Sequence, residues 1–375
     1  MTDWFDLFVV YRTVAVRDDE IVQGILRPDL SPGHPLVRST LDEWGGTHFI
    51  RPMDAGTEIT LMRPIGERPR ERWWIHILLG LLALLTTTAS GAYLSGRDPF
   101  HLAWFGWGWL GLPLPVTFLP GELLPGLAFS LPLLGILFGH EMGHYLVARR
   151  NGMSVSPPYF IPAPQWINLI GTFGAFIRLR SVVINRRVLL DVGMAGPIVS
   201  FLLSIPVAVI GLAMSSTMMV TLPGAPHGRF AVLFAGQEIW LGNSLLFGLL
   251  DRIIAGEGTF LLLHPVAFAA WMGFFVTALN LFPLSQLDGG HILYALLGNR
   301  QRVIGIVFLV VLLGLGFSWP GWWLWAGLIL ALGRGSVRHP SVFDPALPVT
   351  GRRRTLGWLC VIIFFLTFMP VPIRF

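Results

Sequence analysis

The residues best placed to do chemistry are Phe138-Gly139-His140-Glu141-Met142-Gly143-His144, at the end of an apolar run that begins near Leu127. Histidines at i and i+4 stand one turn apart on the same helix face, so both imidazoles can reach a single metal ion. Glu141 follows the first histidine, where its carboxylate can face a water rather than bind the metal. This is the H-E-x-x-H arrangement of zinc hydrolases, with the glutamate as general base. Chance would produce it in about one in 150 chains of this composition, and three ionisable side chains at membrane depth need a shared reason to be there. The competing reading is a pair of histidines bonded to polar neighbours in a bundle core.

A catalytic zinc takes three protein ligands and keeps a position open for water. The single cysteine, Cys360, excludes a cysteine-cluster site and an intramolecular disulfide, so zinc must be held by nitrogen and oxygen. Asp288 is the leading third ligand. It is the only Asp between Arg252 and Asp344, it follows an apolar run, and Gly289-Gly290 lets the backbone approach closely. The same side chain could instead cap a helix from His291 to Leu297. His291 is a rival ligand or a residue standing behind the ligands. His34 and His48 read as surface residues, and His76, His101 and His264 lie in the wrong chain regions.

The elements that must position this chemistry are membrane helices. Of the 375 residues 54% are hydrophobic and 13% charged, with a mean hydropathy of +0.66, so the chain reads as an α-helical polytopic membrane protein. Trp73-Trp74 and Trp322-Trp323 at the edges of apolar runs fit interfacial aromatic belts. The net charge of +5 is carried wholly by Arg, because the sequence has no Lys. That excludes Ser–Lys dyads, retinal Schiff bases and pyridoxal phosphate chemistry. No basic-aromatic interleaving points to nucleic acid, and Arg in inward-facing loops accounts for the charge.

Residues 1–72 are expected to form a small soluble α/β or β-rich cytosolic domain with strands near Leu7–Val16 and Thr57–Met62, and residues 73–375 the membrane domain. Arg68, Arg70 and Arg72 precede a first span, Trp74–Leu94, and hold the N-terminus in the cytoplasm. No signal or transit peptide is expected. The stretch 97–126 is broken by Gly and Pro, among them Gly106, Gly108 and Gly111, and reads as a re-entrant or interfacial loop with Glu122 at the interface. A second span, Leu127–Val147, ends at Arg149-Arg150. A cytoplasmic loop follows, with a strand-like run Ile170–Ile177. A third span, Leu189–Met214, is expected to break locally at Pro197. An amphipathic piece, Val232–Leu250, is expected to lie in the membrane surface, with Asp251, Arg252 and Glu257 as solvated charges. A fourth span covers Pro265–Pro283, and Val303–Phe317 and Trp319–Leu332 make a hairpin bent at Pro320-Gly321. A last span near Leu356–Phe368 holds Cys360 as a packing residue. The count is about seven spans, with both motifs at cytoplasmic helix ends.

These residues resemble the site-2 protease family of intramembrane zinc metalloproteases. That family pairs H-E-x-x-H on one transmembrane helix with N-x-x-P-x-x-x-L-D-G on another, and both stand here, the second running from Asn280 through Pro283 to Leu287-Asp288-Gly289. Pro158-Tyr159-Phe160-Ile161-Pro162, Asn185-Arg186, Asp191-Val192, Ala195-Gly196-Pro197 and His264-Pro265 resemble the branch also found in plastids. The resemblance covers about residues 120 to 370 and leaves no room for a PDZ domain. It implies a zinc cofactor (Zn2+) held by His140, His144 and Asp288, with Glu141 as catalytic base and Asn280 holding substrate or its oxyanion. Gly171, Thr172, Phe173 and Gly174 would belong to a re-entrant strand on which substrate docks. The implied activity is hydrolysis of peptide bonds in transmembrane protein substrates, in a bilayer of bacterial plasma-membrane type. A zinc-binding or transport protein is the alternative class, although transport would want several acidic or histidine sites along a path and one cluster is visible.

Overall fold

The computed structural model describes residues 4–16, 19–54, 56–66, 70–105, 112–218, 229–256, 260–340, 342, 344–345 and 347–374. Arg68, Gly106, Gly108, Gly111 and Glu257, which the sequence singles out, lie outside the described residues.

The chain divides into two compact units. The first comprises Met1–Arg72, Ala148–Ser156 and Arg178–Val183. Its elements include β1 (Phe8–Val16), β2 (Asp19–Leu26), α1 (Pro35–Glu43), β3 (Thr47–Met53) and β4 (Gly56–Pro64), and the strands form one antiparallel sheet in the order β1-β2-β4-β3. Phe8, Val22, Leu26, Ile59 and Leu61 from the sheet close on Val37, Leu41 and Trp44. The helix starts where Pro35 fits the first turn and His34 Nδ1 accepts a hydrogen bond from the Leu36 N–H at 3.3 Å. β1 and β4 match the expected strands. β2, β3 and α1 escape the pattern because Arg, Glu and Pro52 dilute their apolar alternation.

The second unit comprises Trp73–Val147, Pro157–Ile177 and Ile184–Phe375. Beyond Arg72 the chain forms α2 (Trp73–Leu94), β5 (Leu102–Phe105), β6 (Leu112–Pro115), α3 (Leu127–Arg150), β7 (Tyr159–Pro162), β8 (Thr172–Phe176) and α4 (Arg186–Ala213). It continues with β9 (Ser216–Met218), β10 (Phe230–Phe234), β11 (Gln237–Leu241), α5 (Leu245–Ile254), β12 (Phe260–Leu262), α6 (Pro265–Asn280) and α7 (Asp288–Leu297). The last elements are α8 (Gln301–Leu315), α9 (Gly321–Leu332), α10 (Gly351–Thr367) and β13 (Ile373–Arg374). Among the described residues four stretches are long and apolar enough to cross a bilayer: α2, Pro120–Arg150, α4 and Asp288–Leu315. α6 and Gly321–Ala331 are shorter apolar helices. The protein is a polytopic membrane protein.

Several local expectations are overturned. α4 does not break at Pro197 but runs for 28 residues through both Pro197 and Pro206. It continues through both prolines while packed along α6 and α7, where neighbouring helices let a membrane helix carry proline. Val232–Leu250 is not one amphipathic piece. β10 turns back into β11 at Ala235-Gly236, where both residues have positive φ, and α5 begins only at Leu245. These strands belong to a five-stranded sheet, β13-β11-β10-β12-β9, in which only β10 and β12 run parallel. Asp251 is not a solvated charge: it is buried and pairs with Arg229 through both carboxylate oxygens. Glu122 stands 3.7 Å from Arg97 and Cys360 is fully buried in α10.

Candidate metal centre

One face of α3 carries His140 and His144, both buried, and Glu141 beside them. α4 crosses that face with Ala195-Gly196. A Cβ on Gly196 would sit 2.2 Å from His144 Nε2, and one on Gly143 would sit 2.8 Å from the Ala195 carbonyl oxygen. Small residues at this crossing therefore clear the volume the imidazole occupies. The third group arrives from a different direction. α6 ends at Asn280, the chain makes a compact turn, and α7 opens at Asp288. Asp288 is not the helix cap: Leu287 occupies that position, and the Asp288 carboxylate points at the histidines.

The three donor atoms form a small triangle. His140 Nε2 and His144 Nε2 are 3.1 Å apart, and Asp288 Oδ2 lies 3.3 Å from the first and 3.2 Å from the second. In a tetrahedral zinc site with bonds of about 2.0–2.1 Å the donor-to-donor edge is about 3.3 Å, so the separations fit. The ring protons decide what fills the triangle. His144 Nδ1 is 2.7 Å from the Val192 carbonyl, which can only accept, so that nitrogen holds the proton and Nε2 is left as a lone pair. His140 Nδ1 is 3.2 Å from Ser200 Oγ. Thr277 donates its hydroxyl to the Gly273 carbonyl, and Ser200 has Pro197 O and Thr277 Oγ1 as acceptors, so Ser200 is free to accept from His140. With both rings neutral and protonated on Nδ1, both Nε2 atoms and a carboxylate oxygen face one another as lone pairs, an arrangement a divalent cation can bridge. Among the described residues this is the one group of three or more His, Cys, Asp or Glu side chains that could hold a metal ion.

The remaining expected residues fall around this triangle. Asn280 Nδ2 is 3.3 Å from His140 Nε2. Glu141 and His140 line a cavity of about 280 Å3 whose far wall includes Thr172, Phe173 and Gly174. β8 pairs with β7 on one edge in a two-stranded sheet. α2 fixes this hairpin: Thr86 Oγ1 donates to the Gly171 carbonyl at 2.6 Å, and His76 lies over Tyr159 with ring centres 4.0 Å apart. Gly171 has positive φ, and a Cβ there would meet the Thr86 carbonyl at 2.4 Å. His291 is not in the triangle; its Nδ1 is 2.6 Å from His339 Nε2. His264 caps α6 instead, its Nδ1 accepting from the Val266 N–H at 3.3 Å. Sequence reasoning missed Ser200 and Thr277, which read as ordinary small helix residues, and His339, which lies 48 positions from its partner.

Residues 128–315 match Peptidase family M50, the family of site-2 proteases. The chain belongs to that family. It is similar to the probable chloroplastic zinc metalloprotease EGY1 of Arabidopsis thaliana, 32% identical over 257 residues that cover 66% of this chain and 44% of the relative. It is also similar to rice EGY1, Oryza sativa subsp. japonica, 29% identical over 325 residues that cover 83% of this chain and 53% of the relative. The chain thus spans about half the length of the curated relatives it matches. No solved structure matches it. The M50 match includes α3, β7, β8, α4, α6 and α7, the elements that surround the triangle.

Proposed function

We propose that this M50 chain is an intramembrane zinc metalloprotease that hydrolyses peptide bonds of membrane-protein substrates. The observation that carries the reading is the convergence of His140 Nε2, His144 Nε2 and Asp288 Oδ2 to within 3.1–3.3 Å, with Glu141 alongside. These three side chains would hold zinc, which when bound polarises a carbonyl and acidifies water. Glu141, buried beside the histidines on the wall of the cavity, takes the proton of the attacking water and returns it to the leaving amine. Asn280 places an amide N–H donor beside His140, where it can hold the oxygen of a carbonyl under attack.

A transmembrane substrate hides its amides in its own helix, so a segment must be drawn out before cleavage. The outer edge of β8, from Thr172 to Phe176, would accept that segment as an added strand and satisfy its backbone groups. The seven-span reading counts α2, α3, α4, α6, α8, α9 and α10 as crossing a plasma membrane of bacterial type. The four-stranded N-terminal unit then lies in the cytoplasm, and the triangle stands near the cytoplasmic ends of its helices.

In detergent or lipid nanodiscs the purified protein should carry one zinc per chain and cleave a membrane-anchored reporter. Glu141→Gln should keep the zinc and lower cleavage by about a thousandfold or more. Undiminished cleavage by Glu141→Gln would remove it as the base, and zinc uptake into vesicles without any cleavage would favour a transport protein.

A further inference from the structure

The histidines of the triangle ride on a continuous helix, but Asp288 follows a tight turn, Leu281–Leu287. Ser285 within it has a φ of +46°, a conformation side chains other than glycine seldom adopt. A Cβ on Gly289 would lie 1.9 Å from the Leu281 carbonyl oxygen, so the start of α7 is folded directly onto the end of α6. Its own main-chain bonds, Leu284 N–H to Phe282 O at 2.8 Å and Leu287 N–H to Leu284 O at 3.1 Å, are joined by others from outside the turn.

That support comes from Val337-Arg338-His339, between α9 and α10, and from Gln301 at the start of α8. The Ser285 N–H donates to the Val337 carbonyl at 3.0 Å. Gln301 is fully buried and uses its whole amide. Its Nε2 donates to the Pro283 carbonyl at 2.9 Å and the Val337 carbonyl at 3.0 Å, while its Oε1 accepts from the His339 N–H at 3.1 Å. The buried His339 ring then reaches His291, one turn beyond Asp288 on α7, with 2.6 Å between the ring nitrogens, and stacks on Tyr294 at 4.5 Å. The segment is therefore tied to the turn on one side of Asp288 and to α7 on the other. Burial and the neighbouring His291 push the His339 pKa down to about 3, so this ring brings no charge near the site.

We infer that Gln301 and His339 are positioning residues for the metal centre, holding the Asp288 carboxylate where it completes the donor triangle. The inference rests on the zinc reading above. Groups that orient metal ligands change affinity by about 10- to 100-fold when removed, and a bond network of this kind is sensitive to loss of any member because the freed polar groups stay buried.

The test is zinc affinity of the full-length apo-protein, measured by competition with a chelator, beside its melting temperature. Gln301→Leu and His339→Phe should each lower affinity about tenfold or more, with a lower melting temperature from the buried groups left unpaired but with the apo-proteins still folded at the assay temperature. His339→Gln, which restores a side-chain amide at the position of Nε2, should recover most of the loss. Asp288→Asn is the control. If it loses zinc while folded Gln301→Leu and His339→Phe bind as wild type does, the inference fails and the zinc reading stands. If Asp288→Asn binds zinc normally, the zinc reading itself fails. Hydrogen exchange on the unmutated protein probes the same coupling without any variant. Zinc loading should slow exchange of the Ser285 and His339 amides, since what the segment gives to the site the site must give back; unchanged exchange at both overturns the inference.

Discussion

The two halves of the metal centre are built on different principles. The α3 half sets the separation of its two imidazoles by the i, i+4 spacing of one helix, and Val192 O and Ser200 Oγ of α4 then orient the rings. The Asp288 half places one carboxylate by a turn whose shape depends on contacts from Gln301 and Val337. A regular helix sets the spacing of its two side chains within a few residues of sequence and leaves only ring orientation to distant partners, whereas the turn depends on distant partners for its backbone shape as well. Similar substitutions on the two halves should therefore have unequal effects, and that inequality is measurable.

The largest effect is expected at the turn. Gly289→Ala puts a methyl group 1.9 Å from the Leu281 carbonyl oxygen and 2.6 Å from that of Phe282, both backbone atoms that cannot swing aside. α7 must move off the end of α6, carrying Asp288 with it. Zinc affinity should fall about 100-fold and cleavage with it. An affinity within twofold of wild type would show that the turn is not the fragile half. Gly196→Ala comes next. The new methyl stands 2.2 Å from His144 Nε2, but a ring can tilt where a backbone cannot. A loss of about tenfold in zinc affinity is expected from the displaced ligand, and a loss as deep as that of Gly289→Ala would mean the helix half has no more tolerance than the turn.

The same asymmetry explains what could be read from the sequence. The proximity of His140, Glu141 and His144 was legible because helix periodicity puts them together without any other information. Asp288 stood out by scarcity, as a lone carboxylate beside glycines after an apolar run, and the structure adds that Leu287 takes the capping position while the carboxylate faces the histidines. Gln301 and His339 were not legible: their partners lie 18 to 48 positions away, and neither residue type announces a buried bracket. The β10–β11 turn was missed because Ala235 sits at positive φ, a place where sequence leads one to look for Gly or Asn. Pro197 misled in the other direction. The rule that proline breaks helices is strongest in water, whereas α4, packed against α6 and α7, runs through both Pro197 and Pro206.

A remote pair marks the background against which these effects are judged. Asp251→Asn leaves the Arg229 guanidinium without its counter-charge in a partly buried place. Stability should drop by about 2 kcal/mol, read as a lower melting temperature, with zinc affinity and cleavage unchanged. A zinc defect in this variant would mean that global destabilisation alone loosens the centre, and the contrast between the two halves would lose its meaning.

The smallest effect is expected at Gly139, one residue before the first histidine. By sequence this substitution looks as dangerous as Gly289→Ala, since both glycines adjoin a ligand. A Cβ at Gly139 would meet Leu203 Cδ1 at 2.4 Å, but that atom is the tip of a flexible side chain that is 39% exposed. Leucine can change rotamer into the apolar surroundings, and alanine suits a helix interior better than glycine by about 1 kcal/mol. The two terms oppose each other, so Gly139→Ala should change melting by no more than about 0.5 kcal/mol equivalent and leave zinc affinity within about twofold. A tenfold loss there would show that α3 and α4 are packed as unforgivingly as the turn, and that helix-borne ligands owe their position to that crossing rather than to the helix itself.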